Sequence, residues 1–211
     1  MAKNKNVLNT YRDRALGRIS RDEKEYHRFL EYCGRGNIHK LSFHSQLVLF
    51  EQKPFAQVVA GYDAWNGGVG NRILSGSHGA GIYEEPGMSY RGYLERNVFD
   101  ISETDKKYPV LIWQLEKDKR KGLAYYLIGR DDLVGAVKEA AEQYLRGMLV
   151  LDDKTGRTGE IKGQMEHYTL PEGILKEDAV NFIRDSILEI VLKRLGYEGE
   201  NVYLGDFSKV Y

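Results

Sequence analysis

The sequence has one cysteine, four prolines, no net charge (31 Lys and Arg against 31 Asp and Glu) and no long apolar run. Each shortage excludes something. A single cysteine, Cys33, leaves no internal disulfide framework and no cysteine-based zinc finger, and its natural compartment is a reducing cytosol. Without about 18 consecutive apolar residues there is no membrane-spanning helix, and no membrane partner is expected. The opening MAKNKNVLNTYRDR is polar and lacks the apolar centre of a secretion signal, so a cytoplasmic location is expected. Zero net charge gives no global argument for a nucleic-acid partner, so residue patterns must carry one. A chain of 211 residues with 42% hydrophobic residues reads as a globular protein of one domain or two small ones.

Charge is unevenly placed. Residues 1–48 hold ten Lys or Arg and five Asp or Glu, and the remainder carries the matching acidic excess. A basic N-terminal quarter on an acidic body suits a local anionic partner, and equally suits an ordinary solvated helix.

Residues 1–21 read as a basic arm, extended or weakly folded. Tyr26, Phe29, Leu30 and Cys33 recur at helical spacing, which predicts a helix over 22–33 ended by Gly34 and Gly36. Ser42 caps a second helix with Phe43, Leu47 and Phe50 on one stripe, closed by Pro54. Short strands are expected at 57–59, 72–74, 80–83 and 93–101, with 72–74 and 80–83 flanking the turn 76–79, and 110–115 reads as a strand or a helical turn. The run 116–122 reads as a solvated turn. Helices are expected at 131–147 and 176–195, with short strands at 148–151, 159–162 and 165–170 between them. The boundary between the two halves falls in 117–131. The fold class is α+β: N-terminal helices on a small, mostly antiparallel sheet, then a helix-rich second half.

Several catalytic signatures are missing: HExxH, the GxxxxGK[ST] phosphate loop and the GxSxG nucleophile elbow. No cofactor and no metal are expected. Cys33, His27, His39 and His44 lie close in sequence but match no standard metal spacing, and Cys33 falls on the apolar face of its helix. His44 and Gln46 read either as hydrogen-bonding groups for a nucleotide or as caps for nearby backbone. Trp113 reads as core; Trp65, beside a glycine-rich turn, reads as core or as facing a ligand. Tyr62, Tyr83, Tyr90 and Tyr93 flank the glycine-rich segment together with Arg72, His78, Arg91 and Arg96. Aromatic faces interleaved with cations make a stacking platform for unpaired bases; the plainer alternative is a sheet with half-exposed tyrosines.

The pattern over 26–83 carries a resemblance. It runs Tyr26-x-x-Phe-Leu, Ser42-Phe-His-Ser-Gln-Leu, Pro54-x-Ala-x-x-Val-Ala-Gly-Tyr-Asp-Ala-Trp65, then Asn71-Arg-Ile-Leu-x-Gly-Ser-His-Gly-Ala-Gly-Ile82. This resembles the N-terminal domain of ArdC-type antirestriction proteins, which also opens LtrC-like and helicase-like large proteins of Gram-positive conjugative elements. Val98-Phe-Asp-Ile-Ser-x-Thr104 and Phe182-Ile-x-x-Ser-Ile…Leu192-x-Arg-Leu-Gly196 extend it weakly. Asn71 stands where that family has Gly, and Ser77-His78 replaces its basic turn residue. The resemblance implies a domain over 22–117, followed by a helix-rich part over 118–211 truncated from a longer protein. It also implies single-stranded DNA binding. The metalloprotease activity found elsewhere in that family is not carried over, because HExxH is missing here.

The expectation is therefore a non-enzymatic single-stranded DNA-binding module of a conjugative-transfer or antirestriction protein. Lys40 and Arg72 would contact phosphates, with His78 and Arg91 beside them. Tyr62, Trp65 and Tyr83 would stack bases, and Ser42, His44 and Gln46 would hydrogen-bond the strand. Arg12, Arg14, Arg18 and Arg21 would add nonspecific attraction. Other domains of the parent protein are the second expected partner, through a docking or scaffold role. A third reading is a hydrolase or nuclease using Cys33 and His44, or the acid pairs Asp131–Asp132 and Asp152–Asp153, which read better as a helix cap and a turn.

Overall fold

The polar N-terminus is helical. In a computed structural model, which describes residues 2–83, 95–129, 131–148 and 176–197, Ala2–Ile19 form an 18-residue helix, α1, in place of an extended arm. Leu8, Ala15 and Ile19 share one face of it and are buried. Their spacing of seven and four residues is helical. The chain divides into two compact units, Met1–Trp113 and Gln114–Tyr211.

In the first unit α2 (Glu23–Cys33) starts at Asp22, whose carboxylate accepts the backbone N–H groups of Lys24 and Glu25. The helix α3 (Phe43–Gln52) starts at Ser42, whose hydroxyl accepts the N–H of Ser45 at 3.3 Å. Both caps satisfy donors that a helix leaves open at its first turn. The helix α1 packs on α2 and α3, and α3 packs on the sheet. Phe29, Tyr32 and Phe50 form the aromatic centre, with ring centroids 5.4 and 5.2 Å from Phe50. Arg18 lies over the Phe50 ring and pairs with Glu25 and Glu51, so its long stem covers core while its charge stays satisfied.

The sheet has three antiparallel strands: β1 (Val59–Ala60), β2 (Ala80–Tyr83) and β3 (Glu95–Asp100), in the order β1-β3-β2. Ala80 pairs with Val98 and Ile82 with Arg96, while Ala60 pairs with Phe99. Such a small sheet has two exposed edges at risk of pairing elsewhere. A side-chain amide seals each one. Asn37 exchanges two hydrogen bonds with the backbone of Val59, at 2.8 and 2.9 Å. Gln52 does the same for Gly81, at 2.8 and 3.2 Å. Ser45 extends the second seal by donating to the carbonyl of Tyr83.

Residues 72–74 do not pair with 80–83, contrary to the sequence expectation. Ile73 bridges Thr104 instead, and β2 pairs with β3. Gly79 faces the Phe99 ring so closely that a Cβ would lie 2.9 Å from it, so the glycine is there for packing. Residues 110–115 form neither a strand nor a helical turn, and Trp113 is 53% exposed where a core position was expected. Expected strands within 149–170 lie outside the described residues.

In the second unit the run 116–122 is largely exposed, as expected, and its turn Lys117–Lys119 is helical and leads into α4 (Arg120–Ile128). The helices α5 (Leu133–Met148) and α6 (Lys176–Arg194) follow. Ala124, Leu133, Ala136, Val137, Leu188, Leu192 and Leu195 make their common core. Asp132 caps α5 through the N–H of Val134. Asp185 and Glu142 both pair with Arg184, joining α5 to α6. The architecture is thus α+β, with N-terminal helices on a small antiparallel sheet and a helix-rich second half. No helix among the described residues is long and apolar enough to cross a membrane.

Candidate nucleic-acid interface

Three of the expected contact residues are turned into the fold. Trp65 is 1% exposed, and its indole N–H donates to the carbonyl of Phe99 at 2.8 Å. The wide helical turn Ala64–Val69 holds it against the sheet, so neither ring face is open to a base. Gln46 is fully occupied: its amide donates to the carbonyls of Ile38 and Leu41 and accepts from the Cys33 thiol at 3.2 Å. It fixes the turn between α2 and α3. Ser42 caps α3 and donates to Ser45 Oγ. Of the roles the sequence left open, the structure shows the cap for Ser42, the backbone clasp for Gln46 and the core position for Trp65, and the cause is the same each time. A hydrogen-bonding side chain buried without a partner is costly, so buried polar groups are satisfied internally.

Cys33 is buried, and burial pushes its thiol up to about 12 from its usual value near 9. A protonated thiol is a poor nucleophile at neutral pH. The Tyr32 phenol is displaced upward too, chiefly by burial. Above about pH 9 the unfolded chain loses its thiol proton while the folded chain keeps it until about pH 12. Stability due to this group is complete below pH 9 and falls as pH rises through that window. We expect native Cys33 to resist a disulfide reagent at pH 8 and to react fully in denaturant. Rapid reaction in the native state would contradict the burial.

The remaining candidates face solvent. Lys40 ends the short turn Ile38–Lys40 and is exposed, as are Tyr62, Arg72 and His78. The carbonyl of His78 accepts from Lys53 Nζ at 2.8 Å, and the same ammonium pairs with Glu103 at 2.7 Å, which anchors the 76–79 turn. Arg91 lies outside the described residues, as do Tyr90 and Tyr93.

Two of the expected residues come together with one that sequence reasoning left in the core stripe. His44 lies 6.3 Å from the Tyr83 ring and 6.2 Å from that of Phe43, which is 54% exposed. These form a row of three rings across the start of α3 and the end of β2. The Tyr83 hydroxyl donates to Asn9 on α1 at 2.7 Å. Burial holds its phenol above the usual range against the nearby Arg12 guanidinium, with Asp13 adding to the rise. Helical spacing puts Phe43 on one stripe with Leu47 and Phe50, so nothing local marked it as exposed, and the arrival of Arg12 and Asn9 from α1 left no local signal either.

Among the described residues no cluster of His, Cys, Asp or Glu is placed to hold a metal ion. Comparison with protein-family models, curated proteins and solved structures gives no match to this chain.

Proposed function

We propose that this chain is a non-enzymatic module that binds single-stranded DNA in the cytoplasm, as part of a mobile-element protein for conjugative transfer or antirestriction. The observation that carries the reading is the row Phe43–His44–Tyr83 near Arg12, with Phe43 and His44 exposed and Tyr83 half-buried. Unpaired bases offer flat apolar faces, and a row of rings at a solvent boundary matches them without reading sequence. Cations nearby meet the phosphates. The resemblance to ArdC-type N-terminal domains points the same way.

One observation favours the second reading, a docking module for other domains of a parent protein. Much of the N-terminal positive charge is paired internally: Arg12 with Asp13, Arg18 with Glu25 and Glu51, and Arg28 with Glu25.

Fluorescence anisotropy with labelled single-stranded and duplex oligonucleotides separates them. His44→Ala is expected to weaken single-strand binding about tenfold, within the range of about 1–3 kcal/mol per stacked base, while the melting temperature holds. Tyr83→Phe keeps its ring and should bind nearly as wild type; Tyr83→Leu should not. Equal binding by all three variants would remove the ring row from the account. Absence of single-strand binding at low salt would favour docking.

A further inference from the structure

We infer that the bulge Asp105–Tyr108, together with Arg72, is a contact site for the sugar–phosphate backbone of a nucleic-acid strand. The ligand class rests on the single-strand reading above; the site itself rests on separate geometry. Segments 71–74 and 103–108 run antiparallel and are tied at successive rungs. Leu74 N donates to Glu103 O, Ile73 bridges Thr104, and Arg72 exchanges bonds with Asp105 at 2.9 and 3.0 Å. Asn71, wholly buried, then grips the backbone of Tyr108 through both amide atoms, at 2.9 and 2.7 Å. Between the last two rungs one strand has two extra residues, Lys106 and Lys107, which are pushed into solvent.

The way the bulge is built is informative. Lys106 has φ +52, in the left-handed region that glycine or asparagine occupies with less strain. A loop that only had to turn would be better served by glycine. Strain kept at one residue points to a use for its side chain. Asp105 does not cancel the lysines by pairing with them: its carboxylate is taken up by the N–H groups of Arg72 and Lys107. Lys107 Nζ lies 5.2 Å from the centre of the Tyr108 ring. That ring is itself fixed against Gly70 (φ +81), where a Cβ would come within 2.9 Å of it. Three cations, Arg72, Lys106 and Lys107, therefore share one exposed, rigidly founded projection with a half-exposed ring. Neither Arg72 nor Lys106 makes an ion pair among the described residues.

The test uses the full chain, a labelled oligothymidylate and an abasic strand of the same length. Lys106→Gly should melt at or above the wild-type temperature and yet bind both strands less tightly. Lys106→Gln with Lys107→Gln should make the log–log salt slope shallower by about 1.4, at ~0.7 per lost phosphate contact on a single strand. Lys106→Arg with Lys107→Arg should restore it. Wild-type binding with an unchanged slope in the glutamine pair would overturn this site and leave the function standing. So would a loss confined to the base-bearing strand, or a lower melting temperature for Lys106→Gly. Failure of wild type to bind either strand would overturn both.

Discussion

Trp65→Ala is expected to destabilise the first unit by about 3–5 kcal/mol, the range for emptying a buried aromatic site. The indole is sealed from solvent and supplies a hydrogen bond to the Phe99 carbonyl. Alanine leaves a cavity and removes the second donor of a carbonyl that also pairs across the sheet with Ala60. The smaller change Trp65→Phe keeps most of the volume and removes one donor, so a loss of about 1 kcal/mol is expected from the missing hydrogen bond. Urea unfolding of both variants measures this. Each should also bind single-stranded DNA as wild type under conditions where it is folded. A folded Trp65→Phe protein that had lost binding tenfold would return the indole to the interface.

Asp100→Ala is expected to cost about 3–4 kcal/mol, a large share of a typical domain's stability. Asp100 is 4% exposed and lies at the end of β3. One carboxylate oxygen accepts the N–H groups of Gln57 and Val58, at 2.8 and 3.1 Å, and the other accepts that of Ser102 at 3.0 Å. Its own N–H donates to Glu103, completing a reciprocal cap on the turn Ile101–Glu103. Glu103 holds Lys53, and Lys53 holds the carbonyl of His78. The carboxylate thus joins the approach to β1, the exit from β3 and the 76–79 turn. Asn is not a gentle substitute, because its NH2 would face an N–H donor. A denaturant midpoint for Asp100→Asn close to wild type would show that these bonds contribute little.

The helices were legible wherever apolar residues recur at helical spacing beside a capping side chain. Asp22 with Tyr26, Phe29 and Leu30, and Ser42 with Leu47 and Phe50, fixed α2 and α3 nearly to the residue. The helix α1 escaped because its large buried apolar residues, Leu8 and Ile19, stand far apart, with only Ala15 and the stem of Arg18 filling the face between them. Strand partners were not legible. The ladder that ties 71–74 to 103–108 joins residues some thirty positions apart, and nothing local distinguishes it from a hairpin with 80–83.

The candidate site shows the deeper difficulty. Sequence identifies a hydrogen-bonding side chain but not its partner. Ser42, Gln46, Trp65 and Asn71 all stand in the patterned stretch 26–83, and each is bonded within the fold. Their pattern is therefore first a folding pattern: helix cap, turn clasp, sheet pin and strand clamp. The residues left for a ligand, His44, Tyr83 and the Lys106–Lys107 bulge with Arg72, are those whose burial and neighbours only the assembled chain fixes.

The most direct measurement is a salt titration of wild-type anisotropy on a labelled single strand and its duplex. The account predicts tighter binding to the single strand, with log affinity falling by about 2 per tenfold rise in salt if about three phosphates are contacted. Equal affinity for single strand and duplex, or an affinity indifferent to salt, would contradict it.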